Sequence, residues 1–303
     1  MVTEDHGRPP GPAARDGTDP RGAGLVWGHD PAPDPVAASS RPCPGAPEPV
    51  VTRPLPRSAR RHWAALERTG SPAPPAADPA ALAGLPEPAR RWLARAVPPG
   101  TPAWSMAELR MRGEIRLGGR WRAFSARQLL APGAGFVWAA RTRVLGLPVT
   151  GFDRYGAGGG ELRWRLLGVV PVLSAAGPDI TRSAAGRLAG EGVTVPPACV
   201  RATWSEGPVP DTAVMSWVLD GTPEDSLVRV DPEGRLVELS MQRWGDPDGT
   251  GFGRHPFGVA LSAEESFAGV RVPTALRAGW GWGTDRQAEG EFFRARIEEV
   301  RFR

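Results

Sequence analysis

A strict alternation of small or apolar and charged side chains runs from Ala107 to Leu117. Successive side chains of a β-strand point to opposite faces of a sheet, so this period of two predicts a strand with one face in a core and the other in water. Half-buried strands are typical of antiparallel sheets, whereas the strands of parallel sheets read as continuous apolar runs. The alternation therefore favours an antiparallel β architecture for the whole chain.

Gly118 and Gly119 then turn the chain into a second candidate strand through Trp121 and Phe124. Further strand-like runs follow at hairpin spacing, at 136–144, 149–155, 161–167, 200–205, 213–219, 226–230, 235–241, 270–282 and 290–302. Residues 231–234 predict a type I turn that sets the register of its two flanking strands. In the last strand the apolar residues change from odd to even positions, which predicts a bulge near Glu298 and Glu299.

Two segments have helical spacing instead. Residues 85–97 form an amphipathic pattern that ends at Pro98 and Pro99, and residues 179–190 form a thinner one that Asp179 caps and Gly186 weakens. An antiparallel array of about ten strands must curl or close. The sequence therefore predicts a mainly β (α+β) fold, a strongly curved antiparallel sheet or half-barrel with one N-terminal and one inserted helix.

The first 57 residues contain thirteen prolines and few aliphatic side chains, a composition that cannot offset the entropy of ordering a backbone. A short basic helix capped by Ser58 is predicted at 58–68, with Trp63 and Leu66 on one side. Such a helix can lie on an anionic membrane or on a partner, but so small an apolar face favours a frayed linker helix. We interpret residues 1–80 as a disordered tail and linker, and residues 81–303 as a single domain.

Composition excludes several kinds of chemistry. All 37 basic residues are arginine, and without lysine the chain has no Walker-type phosphate loop and no Schiff-base enzyme site. A net charge of +4 does not favour nucleic acid as a partner. Cys43 and Cys199 form neither a disulfide framework nor a metal pair, which fits a reducing compartment. The first thirty residues lack an apolar export signal, and no apolar run approaches the roughly 20 residues that span a bilayer, so we expect a cytoplasmic protein without a transmembrane segment.

Motifs for metals and cofactors are also absent from the sequence. The four histidines are scattered, the glycines at 156–160 favour a hairpin loop over a phosphate cradle, and Asp246 and Asp248 favour a turn over a calcium loop. We therefore expect no metal and no cofactor.

His255 is the one histidine of the predicted domain, and it falls in a stretch that reads as irregular, 246–260. It is a candidate acid or base, with Asp179, Glu191, Glu264 or Glu265 as a partner if the fold brings one close. The alternative is a surface histidine in a loop that is packed by its own aromatic side chains.

Twelve tryptophans against one tyrosine suggest a second kind of site. A curved sheet must fill its concave side with side chains or hold something apolar there, and arginines at the mouth can contact an anionic headgroup. The candidate ligand-binding residues are Trp138, Trp164, Tyr155, Arg141, Arg182 and Trp244. The alternative is that the indoles only fill a core.

Several short blocks follow one another in a recognisable order. They are Leu85-Pro-Glu-Pro-Ala-Arg-Arg-Trp-Leu, Gly135-Phe-Val-Trp-Ala-Ala-Arg, Leu147-Pro-Val, Leu166-Leu-Gly-Val-Val-Pro-Val with Gly177-Pro-Asp, Phe267-Ala-Gly-Val-Arg-Val-Pro-Thr and Gly290-Glu-Phe-Phe-Arg. Through these blocks residues 85–303 resemble a family of bacterial proteins known only as a domain of unknown function, which supplies no catalytic residues to carry over. The hairpin, glycine and strand around Val270 are more loosely similar to the curved half-barrel sheets of periplasmic lipoprotein carriers, a likeness of fold that does not determine a function.

Three functional hypotheses follow. The first is a binding module that holds a hydrophobic or amphipathic molecule in the concave face of the sheet, which the strand count, the tryptophans and the missing catalytic motifs favour over enzymatic activity. The second is an enzyme with an acid/base site around His255 and a distant carboxylate. The third is a structural domain that binds a partner through its arginine-rich tail. The sequence leaves the ligand and the oligomeric state open.

Overall fold

Thirteen strands pair into one sheet in the computed structural model, which describes residues 55–70, 74–76 and 78–303. The strands are β1 (Ala107–Leu117), β2 (Arg120–Ala131), β3 (Gly135–Val144), β4 (Leu147–Tyr155), β5 (Glu161–Leu166), β6 (Val170–Ala176), β7 (Thr203–Glu206), β8 (Thr212–Leu219), β9 (Thr222–Val230), β10 (Leu236–Gly245), β11 (Gly253–Phe267), β12 (Val270–Trp280) and β13 (Glu291–Phe302). The helices are α1 (Arg57–Glu67), α2 (Glu87–Ala96), α3 (Pro178–Glu191), α4 (Pro196–Cys199) and α5 (Gln287–Gly290), with 3₁₀ turns at Pro79–Leu82 and Gly192–Thr194. The predicted tail up to residue 54 lies outside the described residues.

The strand order is β6-β5-β4-β3-β2-β1-β13-β12-β11-β10-β9-β8-β7, and every neighbouring pair is antiparallel. Neighbours in the sheet are therefore neighbours along the chain, except that β1 pairs with β13. The sheet curls into a half-barrel, which confirms the predicted fold class. Helix α3 contacts strands from both ends of the order, β3 to β6 and β8 to β10, so it lies across the concave side.

Two strands were missed in the sequence. Strand β6 begins in the apolar run broken by Pro171, and β11 occupies most of the stretch predicted to be irregular, so His255 lies on a strand and the prediction of a loop there is wrong. Strand β11 contains a glycine, Gly258, in its interior. In the structure a Cβ at Gly258 would lie 2.2 Å from the Trp282 ring, so this glycine marks a close approach inside a strand.

The local predictions for turns and bulges hold. The Gly234 amide donates to the Asp231 carbonyl at 2.9 Å, with Gly234 at φ +81°, so residues 231–234 form the turn between β9 and β10. In the β1–β13 pair Arg110 faces Glu299 and Met111 faces Ile297, which leaves Glu298 as the extra residue of the predicted bulge. The glycine-rich stretch at 156–160 connects β4 to β5 as a hairpin loop.

Both predicted domain helices are present as α2 and α3, but the predicted cap of the second is wrong. Helix α3 follows Gly177, and Asp179 lies within its first turn, where its carboxylate accepts a hydrogen bond from the Trp244 indole instead of capping the backbone. Together α2, α3 and α4 cover one apolar core on the concave side, to which Trp92, Leu93 and Leu188 contribute fully buried side chains.

Helix α1 packs on the opposite face of the sheet. Trp63 and Leu66 are buried with Val137, Ala139 and other side chains of β2 to β4 that alternate with the concave-facing ones. The prediction of a frayed linker helix is therefore wrong, because the small apolar face of α1 finds a matching surface that the sequence does not reveal. That face is also covered, so it cannot lie on a membrane in this conformation. The division of the chain at residue 80 stays a prediction.

We expect Trp63→Ala to release α1 from the sheet. Removing a buried indole costs about 3 kcal/mol or more, which corresponds to an opening of the helix at least a hundred times more frequent. Hydrogen exchange of the amides of α1, followed by mass spectrometry, measures this opening. Ala64→Ser, at an exposed position of the same helix, serves as the control. Equal exchange in the two variants would show that α1 is not held by its indole.

Candidate functional site

A cavity of about 840 Å³ opens on the concave side of the sheet, where α3 and residues of strands β1, β3 to β6 and β10 to β13 line it. Two glycines of α3, Gly186 and Gly190, form part of the cavity wall on the side of the helix. A Cβ on Gly186 would lie 3.2 Å from Cγ of Arg243, and one on Gly190 would lie 3.4 Å from the Leu239 side chain. Because these two residues have no side chain, α3 can lie close to β10. The rest of the concave face stays open.

The side chains around the cavity form a gradient along three adjacent strands. Arg243 on β10 faces His255 on β11, and these two polar residues lie at one end of the registered strands. Moving along the same faces, the cavity is lined by apolar side chains, namely Leu239, Phe257, Val259, Leu261, Leu276 and Ala278. From His255 to Leu261 the strand spans about 20 Å at the usual rise per residue. The cavity is thus long, polar at one end and apolar at the other.

A buried ion network holds α3 to the N-terminal half of the sheet. Arg187 donates to Asp153 at 2.9 Å and to Glu191 at 2.7 Å, and Gln128 donates to the second oxygen of Glu191. The Trp164 indole donates to the other oxygen of Asp153 at 2.8 Å. Both carboxylates are therefore paired within the protein.

Burial and these partners shift the pKa values of the network. Burial raises the pKa of the Asp153 carboxyl above its usual value, against the opposing effects of Arg187 and of the Trp164 hydrogen bond. For Arg187, burial acts to lower the pKa, but the carboxylates of Glu191 and Asp153 outweigh it and the pKa is raised. Arg187 also stacks on Phe136 at 4.7 Å from the ring centroid. The guanidinium is thus a fixed positive charge at the wall of the cavity.

Arg243 is held differently. Its guanidinium stacks on Phe257 at 4.8 Å and on Trp280 at 5.3 Å from the ring centroids. Its N–H groups reach the Ser183 carbonyl only at 3.4 Å, the long end of hydrogen-bond distances. Burial, and then the charge of Arg187, lower the pKa of Arg243 to about 10.

The three candidate catalytic residues are not brought together. His255 and Glu191 both line the cavity, but in the described part of the chain no ion pair or hydrogen bond joins His255 to a carboxylate, and its Nε2 is buried without a partner. Glu191 is engaged by Arg187 and Gln128, and Asp179 lies at the start of α3 with Trp244. The predicted acid/base pair is therefore not formed in this structure, because Glu191 is bound by Arg187 and by Gln128 of β2, and Asp179 is bound by Trp244.

Of the predicted ligand-binding aromatic residues, Trp138 lines the cavity. Its side chain is 2% exposed, and its indole N–H has no hydrogen-bond acceptor within the described residues. Trp164 packs behind it with ring centroids 5.7 Å apart and does not line the cavity. Tyr155 is buried in the core, where burial raises the pKa of its phenol.

Arg141, Arg182 and Trp244 do not line the cavity either. Arg141 follows Val137 and Ala139 at odd positions of β3, which face α1, so it lies on the opposite side of the sheet. Arg182 stacks on Trp244 at 3.8 Å from the ring centroid, and the pair lies with Asp179 near the first turns of α3. The binding roles of these residues stay predictions.

Sequence reasoning missed Arg187 and Arg243. Both had a signal: Arg243 continues the inward register of Leu239 and Met241 on β10, and Arg187 lies within the apolar stripe of α3, four residues before Glu191. An arginine on the core-facing register of an amphipathic element indicates either a buried ion pair or a site. Arg187 is ion-paired, whereas Arg243 contacts aromatic rings and a carbonyl group.

Two loops lie at the rim of the cavity. Asp248, from the loop after β10, pairs with Arg286, from the loop after β12, at 2.9 Å. Residues of both loops contribute to the lining. The residues 246–249 thus form a turn at the rim, as the sequence predicts.

The described residues contain no group of three or more histidine, cysteine and carboxylate side chains arranged to hold a metal ion. Among the helices of the same ranges, none is long and apolar enough to cross a membrane.

Comparison with known proteins gives a family and a set of distant folds. The model of DUF6544, a family of unknown function, matches residues 75–292, which confirms the resemblance found in the ordered sequence blocks. No curated protein matches the sequence.

Solved structures similar to the chain include a DUF1329 family protein from Desulfovibrio piger and a LolA superfamily protein from Nitrosomonas europaea. The first is 12% identical with a TM-score of 0.39, and the alignment covers 74% of this chain and 92% of that one. The second is 9% identical with a TM-score of 0.37 and coverages of 71% and 92%. Neither likeness says what this chain binds.

We expect Arg187→Met to lower the free energy of unfolding by about 3 kcal/mol, because it leaves the largely buried Asp153 carboxylate without its cation and removes one partner of the part-exposed Glu191. Urea unfolding followed by tryptophan fluorescence measures this loss. Arg229→Met removes an exposed arginine from its pair with Glu238 and should change stability by less than about 1 kcal/mol. Similar losses in the two variants would mean that the buried network does not hold α3 to the sheet.

Proposed function

The chain belongs to DUF6544, a family of unknown function, and we propose that it is a binding module that holds a hydrophobic or amphipathic molecule in the cavity of its concave face. The observation that carries the proposal is the cavity itself. Protein interiors pack as densely as organic crystals and leave few voids larger than a water molecule. The core beside the cavity is packed in this way, whereas the cavity itself is an open space of about 840 Å³ on the concave face.

The size and the lining of the cavity support the same conclusion. Pockets that bury most of a small molecule measure roughly 300–1,000 Å³ and are lined mainly by apolar and aromatic side chains with a few polar groups. This cavity has that composition, with Val259, Leu261 and Leu276 at its apolar end and Arg243 and His255 at the other. Water finds few hydrogen-bond partners at apolar walls of this kind, whereas an aliphatic or aromatic ligand buries its apolar surface against them.

The remaining polar groups of the site serve positioning within the protein. Asp153 and Glu191 are paired with Arg187, and in the described ranges His255 Nε2 makes no hydrogen bond to a side chain that could act as a nucleophile. Binding without chemical conversion therefore accounts for the arrangement with fewer assumptions than catalysis does.

We expect Leu276→Trp to weaken the binding of a neutral apolar fluorophore, N-phenyl-1-naphthylamine, at least tenfold, because the larger side chain occupies the cavity. Fluorescence titration of the full chain measures the affinity. Val218→Trp, at a position that is 67% exposed, is the control and should bind as the wild type does.

A second variant, Val259→Trp, tests the same cavity from β11 in case the first one misfolds. If the wild type does not bind the fluorophore, or if both cavity variants bind it as well as the control does, the proposal is wrong. Native mass spectrometry of the purified chain adds an independent readout, since a retained apolar molecule should be lost in both cavity variants and kept in the control.

A further inference from the structure

A cation without a carboxylate partner lies inside the cavity. Arg243 forms no ion pair with any residue of the described ranges, and its contacts are two aromatic faces and the distant Ser183 carbonyl. A guanidinium has five N–H donors in a planar fork that matches a carboxylate or a phosphate. The donors of Arg243 are therefore largely unused by the protein itself.

The nearby carboxylates are already committed. Both oxygens of Glu224 accept from Arg254, at 2.7 and 2.9 Å. Asp153 is bound by Arg187 and Trp164, and Glu191 by Arg187 and Gln128. No acidic group of this set is free to turn towards Arg243 without abandoning a buried partner, which would cost more than it gains.

His255 completes the polar end of the cavity. It is the cross-strand neighbour of Arg243, and its ring meets Trp280 edge-on, with centroids 6.3 Å apart. Its Nε2 is buried and has no hydrogen-bond partner. A buried polar atom that lacks a protein partner carries a desolvation cost of about 1–3 kcal/mol, which a hydrogen bond from a bound ligand would offset.

We propose that Arg243 and His255 together bind the anionic head of an apolar ligand, a carboxylate or a phosphate, while its hydrocarbon part extends along β10 to β12. This inference rests on the proposed function and names the ligand class. Burial and the charge of Arg187 oppose a positive charge on Arg243, and an anion at that point relieves both effects. The register of the strands then places Phe257, Leu261 and Leu276 along the tail of the ligand.

The test compares palmitate with hexadecanol, which has the same chain and no charge, by displacement of the neutral fluorophore. We expect the wild type to bind palmitate at least about ten times more tightly, as a charge-assisted hydrogen bond in a desolvated site predicts. Arg243→Met keeps the length of the side chain, and it should remove this preference while hexadecanol binds within about twofold of the wild type. Arg229→Met, which removes an exposed arginine that does not line the cavity, is the matched control and should keep the preference.

The outcomes separate the two proposals. If the wild type binds hexadecanol and palmitate equally, or if Arg243→Met keeps the preference, the head-group inference is wrong and the apolar binding module stands. If neither compound binds and the fluorophore also fails, the binding module itself is wrong. Hexadecyl phosphate, measured in parallel, shows which of the two anions the site prefers.

A different part of the molecule carries a second inference. Leu145 and Leu167 occupy the tips of two neighbouring hairpin turns, with exposed fractions of 83% and 54%, and the Leu167 amide donates to the Pro148 carbonyl at 2.8 Å. Four more exposed aliphatic side chains surround them, namely Leu147, Val169, Val170 and Val172. We call these six residues the hairpin-tip surface.

The backbone does not require leucine at either tip. Leu145 and Leu167 have φ values of +50° and +54°, a region that costs a leucine energy and suits glycine, asparagine or aspartate. The hairpin turn between β8 and β9 has Asp220 at its positive-φ position, and the turn between β11 and β12 has Ala268. Leucine at these two positions is strained and exposed to water, so it does not stabilise the fold itself.

Charge around the hairpin-tip surface has one sign. Arg143 and Arg165 are exposed on the adjoining strands, and Arg163, which is also exposed, pairs with Glu161. The two acidic residues of the whole segment from 141 to 176, Asp153 and Glu161, are buried in ion pairs with arginines. Protruding aliphatic side chains with a rim of arginines are complementary to a bilayer that has acidic headgroups, since the tips enter the acyl region and the guanidinium groups stay at the phosphates.

We infer that the hairpin-tip surface inserts into anionic lipid membranes. Co-sedimentation of the full chain with phosphatidylcholine vesicles, with and without phosphatidylglycerol, measures binding. The wild type should bind the anionic vesicles, and Leu145→Asn with Leu167→Asn should bind them at least tenfold more weakly. Asparagine tolerates positive φ, so this double variant should fold at least as well as the wild type.

Val209→Asn with Val218→Asn is the matched control, because both valines are exposed aliphatic residues elsewhere on the surface. It should bind vesicles as the wild type does. Equal binding of the two double variants would overturn the inference. It would also be overturned if the wild type ignores vesicles but self-associates through this surface, which analytical ultracentrifugation of the two double variants detects.

Discussion

The pairing of β1 with β13 joins the two halves of the chain into one sheet. Each half is a meander whose strands pair with their sequence neighbours, so this one long-range ladder decides that the halves share a concave face. The ladder is reinforced on its outer side by Arg110 with Glu299 and Arg112 with Glu298, each at 3.2 Å. Glu298 is also the bulge residue, and a bulge bends and twists a strand. This seam, with its bulge, is one of four strand pairs at which the register of the sheet shifts.

Helix α3 depends on that curvature, because it must contact both halves at once. Its charged side is bound to the N-terminal half through Arg187, Asp153 and Glu191, and its glycines approach β10 in the C-terminal half. The helix is thus held firmly on one side and packed closely on the other. A thin apolar stripe is enough for such a helix, because the ion network supplies what hydrophobic burial alone does not.

The same arrangement gives the cavity its polarity. The carboxylates near α3 are used to hold the helix, so the guanidinium of Arg243 is left with aromatic faces and a distant carbonyl. The other cavity-facing positions of β10 to β12 continue the apolar registers that build the core. A cavity that is charged at one end and apolar along its length follows from how the structural ion pairs are distributed. The hairpin tips, on the far side of the N-terminal half, are independent of this arrangement.

The sequence by itself determined the fold class, most of the strands, the turn at 231–234 and the bulge near Glu298, because alternation, turn residues and a change of register act between near neighbours. It also indicated the family through its ordered blocks. It missed β11 and the docking of α1, and it left open whether any carboxylate meets His255. Those outcomes depend on which surfaces meet after the sheet has curled: Gly258 lies under Trp282, Trp63 fits against the back of β3, and Asp179 bonds to Trp244. Only the tertiary structure decided which arginine keeps a carboxylate and which faces the cavity without one, since that competition is settled by contacts between residues distant in the chain.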